Sequence, residues 1–255
     1  MPTKRWNQKL FIYELRNTLG NVFILVFGIL FPIIMSILTV KVFLQGVPES
    51  MLAETTTGVF ITMSLIIPMA TVLIGYAATY SQELEKNIPF RMKMFGYSDK
   101  TLLLVKMVCY LAVMTISLIL FTVVDYAVLD IPVPAVKSAL ILIVSLYLLV
   151  CILFLLAHGI ALYFKKFGPT YAITMAFYFG IMILCGMFGV MPSQLPKVLR
   201  FIAYLFPMSY ISEDFAGFWQ GGSYNFVPFI QSMIFLAAVS GLVLFLALRK
   251  NRRTS

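Results

Sequence analysis

SQELEKNIPFRMKMFGYSDKTLLLVK, residues 81–106, is the longest polar interruption in a chain that is otherwise nearly all apolar. It carries Glu83, Glu85, Lys86, Arg91, Lys93, Asp99, Lys100 and Lys106. Apolar runs of membrane-spanning length lie on both sides of it. Charge in hydrocarbon is costly, so a loop of this kind belongs in water or against another protein. Its positive excess favours the inner side of a membrane.

The chain has 255 residues, of which 61% are hydrophobic and 11% charged. A soluble domain carries about 25% charged residues, so the composition points to an integral membrane protein. Working outward from the loop, the flanking runs are 57–80 and 101–125. Further runs lie at 21–44, 137–164, 170–190 and 225–248. At 1.5 Å per residue the first reaches roughly 36 Å, enough to cross about 30 Å of hydrocarbon with some tilt. Pro32 and Pro68 interrupt the first two runs, which neighbouring helices tolerate. The first run is too long for a signal-peptide core and lacks a small-residue cleavage site, so it is expected to stay in the mature protein. The reading is an all-α integral membrane protein with six transmembrane helices, forming one transmembrane domain over residues 1–255.

Two segments stand apart from the spans. Residues 3–19 place Arg5, Lys9 and Arg16 on one stripe at helical spacing, with Trp6, Leu10 and Tyr13 on an apolar one. That pattern predicts an N-terminal amphipathic helix lying in the membrane surface. Residues 191–224 hold Leu195, Val198, Leu199, Ile202, Leu205 and Phe206 at i, i+3, i+4, i+7 spacing, ending at Pro207. The piece is too short to span, so it predicts short re-entrant helices before the last span, with 209–219 running back and Gly221-Gly222 stopping it.

Charge orients the whole. With both termini inside, fifteen Lys and Arg residues lie inside and only Lys41, Lys137, Lys197 and Arg200 outside. This asymmetry follows the positive-inside rule and turns the net charge of +9 toward the anionic inner leaflet. It leaves nothing that points to nucleic acid, and it makes a multi-pass plasma membrane protein with cytoplasmic termini the expectation.

Several chemistries have no residues to run on. With one histidine, His158, no H-E-x-x-H zinc motif is possible, and no G-x-x-x-x-G-K-[ST] phosphate loop occurs. Cys109, Cys151 and Cys185 sit singly in apolar runs and read as small hydrophobes. Asp125 reads as an interfacial residue at a span end, and carboxylates within the spans look nearly missing. His158, in the fourth span without an acidic partner, is expected to bond a neighbouring helix.

The order of these parts resembles the membrane-spanning permease subunit of ABC exporters, the type-2 permease family. The resemblance covers essentially the whole chain. It is carried by the inner loop, with Glu83, Glu85, Lys86, Phe90, Arg91, Gly96, Tyr97, Ser98 and Lys106, and by the proline-spaced run Leu195-Pro196 through Phe206-Pro207 and Tyr210. Where that family often has glycine after the acidic pair, this chain has Lys86-Asn87, and asparagine also tolerates left-handed backbone.

The resemblance implies a transporter without its own ATPase. No cofactor is expected on this chain, and ATP and Mg are expected on a cytoplasmic ATP-binding subunit. It implies a second permease subunit, identical or related, within membrane lipids. It makes 81–100 a cytoplasmic coupling loop and assigns Glu83, Glu85, Lys86, Phe90 and Arg91 to partner binding. It places a substrate route between paired subunits along spans two and five, where Phe60, Met63, Ile67, Phe177 and Met182 stand. The outer loops are too small to capture a large ligand, so the expected cargo is a drug, antimicrobial peptide, lipid-like compound or glycan exported from the cytoplasm or inner leaflet. The alternative is an ion- or proton-coupled carrier, which usually needs buried acids at the midplane. An intramembrane enzyme is disfavoured by the scarcity of His, Asp and Glu in the spans.

Overall fold

The computed structural model describes residues 8–254, which are helical with no strand among them. A leading helix, α1 (Gln8–Leu19), is followed by α2 (Ile24–Phe43) and α3 (Glu49–Glu85). A short α4 (Ile88–Met94) precedes α5 (Asp99–Val128), α6 (Val136–Phe164) and α7 (Phe167–Leu184). Two more short helices, α8 (Lys197–Ala203) and α9 (Pro207–Trp219), lead into α10 (Phe226–Thr254). Six of these, α2, α3, α5, α6, α7 and α10, are long and apolar enough to cross a membrane. Residues 3–7 of the expected leading helix, with Arg5 and Trp6, lie outside the described residues.

The helix bounds differ from the hydropathy runs where hydropathy is a poor guide. The second span extends well past 57–80 at both ends, because polar turns of helix continue beyond the apolar stretch. The fifth ends at Leu184 rather than 190, where Gly186 and Gly189 take positive φ.

α3 is the pillar of the bundle. Every residue from Phe60 to Ala78 is buried, and the helix touches α2, α5, α6, α7 and α9. A helix apolar all round belongs in such a position. Pro68 lacks the N–H that would bond the Ser64 carbonyl, and the helix is interrupted at Leu65 one turn earlier. Wider turns follow over Ala70–Tyr76, and matching wide turns occupy Ile24–Leu30 of α2, just before Pro32. The two wide-turn stretches pack on each other. Gly75 permits this approach, since a Cβ there would collide with the Ile24 side chain.

α6 and α10 pack closely along their length, and Gly159 sets their spacing. A Cβ on it would lie 2.9 Å from the Leu244 backbone nitrogen and 3.0 Å from its Cα. Backbone cannot swing aside as a side chain can, so the helices must separate. Gly159→Ala is expected to cost about 1–3 kcal/mol, seen as a lowered melting temperature in detergent. An unchanged melting temperature would refute the close approach.

Asn87 joins α3 to α4 with φ 55°, the left-handed geometry that the sequence suggested asparagine would accept. At the opposite end, α9 is tied to the start of α6. The Trp219 carbonyl accepts the Ala135 N–H at 3.0 Å, and the Phe218 carbonyl accepts Ser138 Oγ at 2.6 Å. Trp219 Nε1 donates to the Pro132 carbonyl at 3.2 Å. The Phe218 and Trp219 carbonyls at the end of α9 are thus engaged by the turn leading into α6, while the Gly217 and Phe218 carbonyls also accept the Gly222 and Gly221 N–H groups at 3.0 Å each.

Candidate functional site

The sequence places a lysine, Lys106, between the apolar stretches Leu102–Val105 and Met107–Val113 of α5, and a buried cation demands counter-charge. The structure supplies two. Lys106 Nζ lies 2.8 Å from Glu14 Oε2 and 2.8 Å from Glu83 Oε1, and all three side chains are shielded from solvent. Glu14 comes from α1, Glu83 from the last turns of α3, and Lys106 from the first turns of α5. Three elements distant in sequence are therefore joined at one buried point.

Local sequence explains how each arrives there. The buried stripe of α1 is Leu10, Glu14 and Thr18, four residues apart, so they share one helical face. Leu10 packs on Leu102, Val105 and Cys109 of α5, and the same face carries Glu14 against Lys106. At the end of α1, Asn21 Nδ2 donates to the Gly75 carbonyl at 3.0 Å and to Thr79 Oγ1 at 2.8 Å. The elbow between α1 and α2 is thereby fixed to α3. Ser98 caps α5, accepting the Thr101 N–H at 3.1 Å, which sets the register that aims Lys106 inward.

The expected partner-binding residues divide. Glu83 is not on the loop surface: helix continues to Glu85, and Glu83 is buried against Lys106 with Asn17 Nδ2 at 3.4 Å. Of the residues expected to meet a partner, Glu83 thus faces inward, onto Lys106. Glu85 is exposed and its Oε2 accepts the Phe167 N–H at 3.2 Å, at the start of α7. Lys86 and Arg91 are exposed, and Arg91 Nη2 donates to the Lys86 carbonyl at 3.4 Å. Phe90 is 63% exposed, with Met94 and Phe95 exposed beside it. Met92 turns inward onto the Leu10 cluster.

The expected route residues lie mostly in the interior of the chain. Phe60, Met63, Ile67 and Met182 are buried inside this one chain, and Phe177 is half-buried against Phe206. Phe60 stacks on Phe121 with ring centroids 5.2 Å apart. Within this chain Phe60, Met63 and Ile67 of α3 and Met182 of α7 pack the core.

Two further groups carry charge or protons at depth. His158 Nδ1 pairs with Tyr76 Oη at 2.5 Å, so the histidine does bond a neighbouring helix as expected. Asp125, three residues before the end of α5, is fully buried in the protein and accepts Ser36 Oγ at 2.8 Å. Among the described residues its second oxygen has no partner. The sequence reading missed Glu14, Tyr76 and the burial of Asp125. The available signal was Lys106 itself, a lone cation in an apolar run whose counter-ions had to come from elsewhere.

A cavity of about 600 Å³ opens beside the charged cluster. α1, α3, α4, α5, α6 and α10 contribute to its wall. At the other end of the bundle, Glu213 of α9 accepts the Ser193 N–H at 3.2 Å and Tyr204 Oη at 2.7 Å. Burial, and then the Glu213 carboxylate, push the Tyr204 phenol up to about 12.

Against known families, the model described as ABC-2 type transporter matches residues 7–217, most of the chain. No curated protein and no solved structure matches it.

Proposed function

From the chain's membership of the ABC-2 type transporter family, we propose that it is the permease subunit of an ATP-binding-cassette exporter. A separate cytoplasmic subunit binds ATP and Mg and hydrolyses the nucleotide. The permease pairs with a second permease subunit in the plasma membrane, both termini facing the cytoplasm. Its cargo is a drug, antimicrobial peptide, lipid-like compound or glycan.

The observation that carries this reading is the buried cluster of Glu14, Glu83 and Lys106. It ties the leading helix and the base of α3 to α5. A push on α1 is thereby passed to the central helix of the bundle. Phe90 with Met94 and Phe95 offers an apolar anchor, and Lys86 and Arg91 a polar rim, which is the make-up of a docking surface.

The carrier alternative now has an observation in its favour. Asp125 and Glu83 are acids buried in the protein, each within three residues of a helix end. Transport in sealed vesicles separates the two readings. The exporter reading expects uptake into inverted vesicles to require ATP and the nucleotide-binding subunit, and that subunit to co-purify with this chain. Uptake that proceeds without nucleotide and follows an imposed pH gradient overturns it.

A further inference from the structure

The cavity beside the charged cluster has an arrangement of its own. Its volume, about 600 Å³, lies within the roughly 300–1,000 Å³ of small-molecule sites. At its floor Tyr76 is hydrogen-bonded to His158, and the Tyr80 ring stacks on His158 with centroids 4.7 Å apart. Its body is aliphatic, with Leu103 of α5, Leu162 of α6 and Leu244 of α10. Its rim carries Lys100, at the start of α5, and Lys165, just past the end of α6.

Charge within the cavity is sorted by depth. At the rim, Lys93 is offset by Asp99 at 2.6 Å. In the wall, Lys106 is offset by Glu14 and Glu83. Lys100 and Lys165 make no ion pair among the described residues, and both are exposed. Lys165 stands two helical turns, roughly 10 Å, beyond His158. Lys165 thus stands roughly 10 Å beyond the aromatic floor along α6, and Lys100, also exposed, lines the same cavity from the start of α5. The two glutamates in the wall exclude an anion from the depth and leave it only the rim.

We propose that this cavity binds an amphiphile with an anionic head and an aliphatic tail, the head between Lys100 and Lys165 and the tail reaching toward Tyr76 and Tyr80. Basic pockets between membrane helices take anionic headgroups by this logic. The two sources of such a molecule are a lipid of the surrounding leaflet and a water-borne amphiphile. Binding needs no nucleotide, so the proposal stands or falls separately from the exporter reading.

The test uses the full chain in phosphatidylcholine nanodiscs, with Leu162→Trp as reporter and the parent chain's fluorescence as background. Brominated phosphatidylglycerol is expected to quench the reporter at a several-fold lower mole fraction than brominated phosphatidylcholine. The Lys100→Gln, Lys165→Gln double variant is expected to erase that preference; both lysines are exposed, and circular dichroism checks that the fold survives. Bromododecyl phosphate added from the aqueous phase distinguishes the sources. Quenching by it at micromolar concentration, lost in the double variant, marks a site open to free amphiphiles, and quenching by the phospholipid alone marks a resident lipid. Equal quenching by the two phospholipids with none from bromododecyl phosphate overturns the proposal, as does a preference that survives the double variant.

Discussion

Lys106→Met is expected to cost about 3–5 kcal/mol of stability, the loss that follows when one partner of a buried ionic group is removed. Lys106 holds Glu14 and Glu83 at 2.8 Å each. Without it, two carboxylates stay buried within reach of one another, with Asn17 at 3.4 Å as the remaining donor to Glu83. The single changes Glu14→Gln and Glu83→Gln are expected to cost far less, since each leaves a one-to-one pair with Lys106. The triple variant Glu14→Gln, Glu83→Gln, Lys106→Met removes every charge and is expected to recover most of the loss, because neutral replacement of a buried ionic cluster is often harmless. Thermal unfolding in detergent reads all four. A Lys106→Met chain that melts with the parent, or a triple variant no better than Lys106→Met, removes the cluster from the account.

The triple variant separates stability from coupling. If the cluster only holds the fold, transport follows the recovered stability. If it transmits the motion of the nucleotide-binding subunit, transport stays low in a chain that melts normally. A buried ionic cluster is weak evidence for stability but can fix register, and this one joins α1 and the base of α3 to α5.

Hydropathy and turn residues foretell six spans, the polar loop and the paired short helices, because each depends on local composition. Asn87 at φ 55° is of the same kind, a turn demand met by a residue that tolerates it. What sequence hides is where charge ends up. Glu83 sits in the most polar stretch of the chain, next to residues that are exposed, yet three-dimensional packing spends it on a lysine in the next helix. Asp125 reads as a boundary marker, and its burial against Ser36 of α2 is likewise set by packing. α3 looks like any other apolar run, and its burial on every side emerges from the arrangement of its neighbours. For that reason Phe60, Met63 and Ile67 were expected on a route and are found in the core.

Phe90→Asp is expected to lower affinity for the nucleotide-binding subunit by about 30- to 1,000-fold, the range of roughly 2–4 kcal/mol seen at interface anchors. The fold gives this expectation its direction. α4 divides its side chains, Met92 inward onto the cluster of Leu10, Leu102, Val105 and Cys109, and Phe90 and Met94 outward. Large apolar side chains left outside among Lys86, Arg91 and Lys93 are uneconomical in water and mark a surface that is covered in use. Aspartate at position 90 leaves the packing of α4 on α1 and α5 intact, so insertion and melting temperature are expected to match the parent. Arg91→Ala, at the rim, is expected to weaken the complex by less. Pull-down of the nucleotide-binding subunit from detergent at fixed salt measures both. Should Phe90→Asp hold that subunit as tightly as the parent does, while shifting the chain's partition into lipid, α4 covers itself with headgroups and the docking face lies elsewhere.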